Sequence, residues 1–201
     1  GLGKSSFMRE IAYHILNNTD HNIGLLFLEE SVRRTAQAIV GLDMNKPIHL
    51  PNFDYTEEEI KASFKNTLEK DRLFFFDHFG SNSIDNIISR VRYMVRALNC
   101  KYIFLDHISI LVSDQTQLDE RKALDEIMTR LRTLVQELDI CMFVASHLKR
   151  VDYGHEEGGR TKLNQLRGSG SIGQLSDIVL GLERDGQATD MRDRHTTTVR
   201  V

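Results

Sequence analysis

The sequence is poor in the residues that build disulfide frameworks and zinc sites. Its two cysteines, Cys100 and Cys141, stand apart, with no C-x-x-C spacing and no paired histidines beside them. That excludes a cysteine-organised fold and leaves two reduced, buried thiols as the expectation. No stretch approaches the roughly eighteen consecutive apolar residues of a membrane span. The opening residues are glycine, lysine and serine, which is not the basic start and apolar run of a signal peptide. A cytoplasmic protein with no membrane partner is expected. The net charge of -3 excludes a chain that coats DNA by bulk attraction, so any nucleic-acid contact has to come from local basic loops. Proline is scarce too. Both copies, Pro47 and Pro51, fall between Asp43 and Tyr55, which reads as an exposed connection, as does the glycine-rich stretch from Asp152 to Gly159.

What is present is a pattern. A hydrophobic fraction of 40% and a charged fraction of 27% over 201 residues suit one globular domain with a real core. Short apolar runs, "NIGLLFLEE", "RLFFFDHF", "KYIFLDHISILV" and "ICMFVASHLK", have the character of strands buried on both faces. "SDIVLGLE" and the terminal "HTTTVRV" read as two later strands. Between them, Ile84, Ile87, Ile88, Val91, Met94, Val95 and Leu98 recur at helical spacing, as do Leu124, Ile127, Met128, Leu131, Leu134, Val135 and Leu138. Strand and helix in alternation predict an α/β fold, a mainly parallel sheet flanked by helices, with ligands beyond the carboxyl ends of the strands.

Three of those strand ends are polar: Glu29 and Glu30, Asp106 and His107, Ser146 and His147. A single acid there is commonly a helix cap. Three polar ends accompanied by "GLGKSS" at the start of a helix have a chemical explanation in a nucleoside triphosphate. Gly3 lets the backbone curl so that its amides face phosphate oxygens at a helix N-terminus, with Gly1 and Ser6 as further nucleotide-binding candidates. Lys4 reaches the outer phosphates and the Ser5 hydroxyl binds magnesium. Asp106 suits the second magnesium contact, through water. Glu29 is placed to orient and polarise the attacking water. His147 has two readings, a functional one and a hydrogen-bonded structural one.

The motifs "GLGKSSF", "GLLFLEESVRRTA", "IFLDHISILVS", "DERKALDEIMTRL", "ASHLKR", "HEEGGR" and "LRGSGSIGQLSDIVLGLER" follow one another along nearly the whole chain. In that order the chain resembles the helicase half of the primase–helicases of short-tailed bacteriophages, relatives of mitochondrial Twinkle and of DnaB-type hexameric replicative helicases. The resemblance implies a RecA-like P-loop NTPase core, Mg2+ with ATP or dTTP as cofactor, and single-stranded DNA as track. It also implies a ring homo-oligomer, a hexamer in the main, with a primase domain and a DNA polymerase as further partners, in the host cytoplasm if the chain is phage-encoded. Residue by residue, the resemblance implies Lys4 and Ser5 for phosphate and magnesium, Glu29 as the catalytic base, Asp106 as the second magnesium acid, His147 as the sensor of the terminal phosphate and Gln174 as its relay. It implies that DNA is held by Lys149 and Arg150 in the loop after His147, by Arg160, and by Arg167, Gly168, Ser169 and Gly170 of the "RGSG" loop. From the residues alone, Lys149, Arg150, Arg160, Lys162 and Arg167 form a basic cluster in a glycine-rich section, and their other reading is a solvated loop. With Tyr153 the one aromatic nearby, phosphate tracking is expected more than base stacking.

Against the family pattern, the leading glycine of the phosphate loop and its strand are missing, and the arginine finger lies beyond Val201. Residues 1–201 are therefore expected to be a single incomplete domain that hydrolyses nucleotide poorly alone, because a finger contributes about 10³ to 10⁵ in rate. Arg200 matches an earlier arginine and is not given the finger role. Two rival readings share much of the pattern. One is a RecA-type recombinase ATPase, which forms filaments; the other is an assembly or loader protein that uses nucleotide as a switch and has little need of Glu29. A primase activity has no support, since no zinc-binding cysteine cluster is present.

Overall fold

The computed structural model describes residues 3–48, 54–77, 83–112, 117–147 and 170–201. Its centre is a four-stranded parallel sheet in the order β2-β1-β3-β4, built from β1 (Asn22–Phe27), β2 (Leu73–Phe75), β3 (Cys100–Asp106) and β4 (Cys141–Val144). The register aligns Leu25 of β1 with Phe75 of β2 and with Phe104 of β3, and Phe104 with Phe143 of β4. Going from β1 to β2 the sheet grows in one direction, and from β3 to β4 in the other. The reversal between β1 and β3 opens a crevice at their carboxyl ends, the usual place for a ligand in such a sheet.

Side-chain alternation explains how the layers form. Ile23, Leu25 and Phe27 of β1 join Leu73, Phe104 and Ala145 against Met8, Ala12, Ile15 and Leu16 of α1 (Lys4–Asn18) and Ile39 of α2 (Val32–Asp43). Phe104 stacks on Phe143 with ring centroids 4.6 Å apart. On the other face, α4 (Ile84–Arg96) buries Ile87, Ile88, Val91 and Met94, which are members of the stripe expected from spacing. A Cβ on Gly24 would lie 2.7 Å from Ile103 Cδ1 and 2.8 Å from Met94 Sδ, so a side chain at this strand position would make those two side chains shift.

Helix ends are set by local chemistry. Ser31 and Ser83 cap α2 and α4 by accepting the N–H bonds of Arg34 and Asn86. At α3 (Glu57–Asn66), Thr56 and Glu59 form a reciprocal capping box. The residues with left-handed backbone near the ends of helical segments are Asn45, Asp71, Asn99 and Asp139, the non-glycine types that tolerate it best. Arg72 donates to the carbonyls of Thr19 and, at 2.6 Å, Leu16, so a cation closes the C-terminus of α1.

The chain divides into two compact units. One comprises residues 5–111 and 134–145 and holds the parallel sheet; the other comprises residues 1–4, 112–133 and 146–201. The second unit contains most of α5 (Gln117–Leu138), α6 (Ser171–Leu175), α7 (Met191–His195) and a two-stranded antiparallel sheet of β5 (Gly181–Glu183) and β6 (Thr198–Arg200). The two late strands thus pair with each other and do not extend the parallel sheet. Each is three residues long, and β6 is exposed throughout, so neither carries the both-face burial that marks the central strands. Arg200 binds both oxygens of Glu183, at 2.8 and 3.0 Å, and this bond holds its pKa above the ordinary arginine value.

The cysteines depart from expectation in one respect. Cys100 is buried, and loss of solvent pushes its thiol up to about 12. Cys141 is exposed, because it opens β4, the outermost strand on its side of the sheet among the described residues.

Candidate active site

The phosphate-loop residues that are described run Gly3, Lys4, Ser5 and Ser6; Gly1 lies outside the described residues. Gly3 has a φ of +87°, a conformation open to glycine and strained for other residues. The chain turns there into α1, so Lys4, Ser5 and Ser6 make up its first turn. The amides of such a turn have no partner inside the helix and point along the dipole that favours anions.

From that turn the Ser5 hydroxyl donates a short hydrogen bond to Asp106 Oδ2. Asp106 ends β3 and is 3% exposed. Burying a carboxylate carries a high cost unless polar groups meet it, so its place at the end of an apolar strand calls for a chemical use. A hydroxyl and a carboxylate side by side are hard oxygen donors of the kind magnesium prefers, so the residues fit that ion.

The tip of β1 lies against this point. Phe27 is level with Asp106 across the two strands, and Leu28 donates its backbone N–H to the Asp106 carbonyl at 2.7 Å. The next residues, Glu29 and Glu30, have opposite environments. Glu30 is held by Arg9, whose Nη2 lies 2.6 Å from both carboxylate oxygens, and by the Thr35 hydroxyl at 2.6 Å. Arg9 is itself 6% exposed, with its guanidinium 5.5 Å from the centre of the Phe27 ring. Glu30 is therefore a structural tie between α1, β1 and α2. Glu29 has a side chain 56% exposed, and its Oε1 lies 2.7 Å from Nε2 of the buried His107. Within the unit that holds the sheet, Ser5 meets Asp106, and Glu29 meets His107, the residue that follows Asp106.

The tip of β4 is tied to the same edge, since Ala145 donates to the Leu105 carbonyl at 2.9 Å and Ile108 donates to the Ala145 carbonyl at 3.1 Å. His147 follows two residues later, half-buried, with the Ser146 hydroxyl 3.4 Å from its carbonyl. Gln174 lies on α6 with an exposed side chain, its N–H bonded to the Gly170 carbonyl at 3.1 Å, and Gly170 is the exposed residue before that helix. Lys149, Arg150, Arg160, Lys162, Arg167, Gly168 and Ser169 lie outside the described residues. Sequence reasoning gave no role to Arg9, Thr35 or His107. For Arg9 a signal existed: it stands one helical turn after Ser5 and so shares its face of α1.

The family model of the DnaB-like helicase C terminal domain matches residues 1–201. The chain belongs to the DnaB-like helicase C-terminal domain family. Among curated proteins it is similar to the DNA helicase/primase of Enterobacteria phage T3, 36% identical over 195 residues, covering 93% of this chain and 34% of that protein. It is also similar to the replicative DNA helicase DnaB of Geobacillus stearothermophilus, 24% identical over 189 residues, covering 92% of this chain and 41% of that protein. The chain thus spans roughly a third to two fifths of the length of these relatives. Among solved structures, one described as an ATPase domain superposes with a TM-score of 0.76 at 19% identity, covering 99% of this chain and 77% of that one. A DnaB-like replicative helicase, described with its interactions with primase, gives 0.74 at 20% identity, covering 99% and 52%. These likenesses give this DnaB-like domain the expected RecA-like fold, a mainly parallel sheet flanked by helices.

Proposed function

We propose that this DnaB-like domain is the motor of a replicative DNA helicase, coupling hydrolysis of ATP or dTTP to movement along single-stranded DNA and to duplex unwinding. One observation carries the reading. The Ser5 hydroxyl of the phosphate helix bonds the buried Asp106 carboxylate, beside the strand tip that presents an exposed glutamate. A domain that used nucleotide only as a switch would have no need of that second acid.

In this reading Gly1, Gly3, Lys4, Ser5 and Ser6 cradle the phosphates, and Ser5 and Asp106 hold Mg2+, which when bound neutralises charge on the phosphate oxygens. Glu29 accepts the proton of the attacking water. The water oxygen bonds to the terminal phosphorus, the bond from that phosphorus to its bridging oxygen breaks, and the nucleoside diphosphate leaves. His147 senses the terminal phosphate and Gln174 relays its state. Lys149, Arg150, Arg160, Arg167, Gly168, Ser169 and Gly170 track the DNA backbone without reading sequence. The working form is a ring of copies, hexameric, with a primase domain and a DNA polymerase as partners in the cytoplasm. Among the described residues no helix is long and apolar enough to cross a membrane.

The test is nucleotide turnover by the full-length protein with and without single-stranded DNA. DNA-stimulated hydrolysis is expected, and Glu29→Gln should lower kcat by about 10² to 10⁴ while leaving nucleotide binding in place. Turnover indifferent to DNA, or intact in Glu29→Gln, would refute the motor reading.

A further inference from the structure

Glu29 has a side chain 56% exposed, yet a water-activating carboxylate has to hold one orientation. A free glutamate side chain loses substantial rotamer entropy when fixed, and a misplacement of about 1 Å can cost 10²-fold in rate. Something has to hold Glu29. The Arg9, Thr35 and Ser31 groups that order this turn act on Glu30 and on the backbone of α2. Among the described residues of the unit that holds the sheet, the imidazole of His107 reaches Glu29.

We propose that His107 is a positioning residue for Glu29, and this rests on Glu29 being the water-activating acid. His107 follows Asp106 directly, is 6% exposed, and has Nε2 2.7 Å from Glu29 Oε1. The backbone bond from Leu28 to Asp106 fixes the two strand tips against each other, so ring and carboxylate cannot drift apart independently. The 2.7 Å approach of Nε2 to Oε1 restrains that oxygen and leaves Oε2 to accept from water. Because His107 and Asp106 are consecutive, the same strand end sets both the magnesium acid and, through the ring, the orientation of the base. His107 does not touch substrate, so its removal should be felt only through Glu29.

The experiment is steady-state turnover by the full-length protein on single-stranded DNA, with binding of a non-hydrolysable triphosphate analogue measured alongside. His107→Ala should lower kcat by about 10- to 100-fold, as for loss of a group that orients a reactive one, with KM and analogue affinity unchanged. His107→Gln, which keeps an N–H donor at similar reach, should recover most of the loss; analogue binding and the unfolding midpoint confirm that both variants are folded. In a Glu29→Gln background, His107→Ala should cost nothing further. Wild-type kcat in His107→Ala would overturn the proposal, as would a loss confined to KM, or the same fold loss in the Glu29→Gln background. If Glu29→Gln itself keeps full turnover, the base assignment fails first. If Glu29→Gln is inactive and His107→Ala is not, the positioning role alone is lost.

Discussion

Arg9 and Glu30 meet through two oxygens of one carboxylate, each 2.6 Å from Nη2, with side chains only 7% and 14% exposed. The bond joins the second turn of the phosphate helix to the residue that follows Glu29. It anchors the loop carrying the proposed base to the helix carrying the proposed phosphate ligands, at the level of packing and not of chemistry.

Removing Arg9 leaves the Glu30 carboxylate with little water, and with the exposed Arg34, 3.7 Å away, as a weaker cation beside it. Arg9→Met should therefore destabilise the fold by about 3 to 5 kcal/mol, read from urea unfolding. The double change Arg9→Met with Glu30→Leu should recover most of that, because the cost lies in the stranded carboxylate. A single-variant cost below about 1 kcal/mol, the range of exposed pairs, would show that the contact is not a structural tie.

The two neighbouring acids should then separate by phenotype. Glu29→Gln changes an exposed side chain and should leave the unfolding midpoint within the few tenths of a kcal/mol usual for surface sites while removing turnover. Glu30→Gln should do the reverse, losing about 1 to 3 kcal/mol through its bonds to Arg9 and Thr35. Paired turnover and unfolding measurements on the two variants check this; equal effects would mean that the division of labour is wrong.

The legible parts of this chain are those where burial leaves a mark on composition. β1 and β3 are apolar on both faces and could be read as such; the stripe of α4 gives its helix and its buried face together. α3 carries no such mark. Its one buried residue is Ser63, so the sole local signal is Thr56 with Glu59, the capping box. The antiparallel pairing of β5 with β6 was equally hidden, since three-residue exposed strands have no pattern to show which sheet they join. At the candidate site, the pairing of Ser5 with Asp106 was legible because that chemistry demands its residue types at a helix start and a strand end. Arg9 was not, because one arginine on an amphipathic helix reads as a solvated face until its neighbours are known.

Gly24 tests the close fit of α4 on the sheet. Both atoms that would meet a Cβ, Ile103 Cδ1 and Met94 Sδ, are ends of flexible side chains and have some freedom to yield. Gly24→Ala should consequently cost less than Gly24→Val, whose extra methyl groups overpack the interface by about 1 to 3 kcal/mol. Adding Met94→Ala to Gly24→Val should recover part of the loss in urea unfolding. If the second change only adds to the first, Met94 is not the obstruction.

The α3 cap gives a pH dependence with a definite sign. Glu59 accepts from Lys46 Nζ at 2.7 Å and from the Thr56 backbone N–H at 2.8 Å, and the lysine first, then the amide, hold its carboxyl below the usual range. A carboxyl with a depressed folded pKa contributes stability above its unfolded pKa, about 4.3, and loses it as pH falls through the lower folded value. Glu59→Gln keeps a group able to complete the capping box but removes the charge. The variant should therefore be less stable than the parent at pH 7, with the difference shrinking below about pH 4 and absent once Glu59 is protonated in the folded state. Urea midpoints for both proteins from pH 7 down to pH 3 measure it. A gap that persists unchanged at the acid end would assign the effect to shape and not to charge.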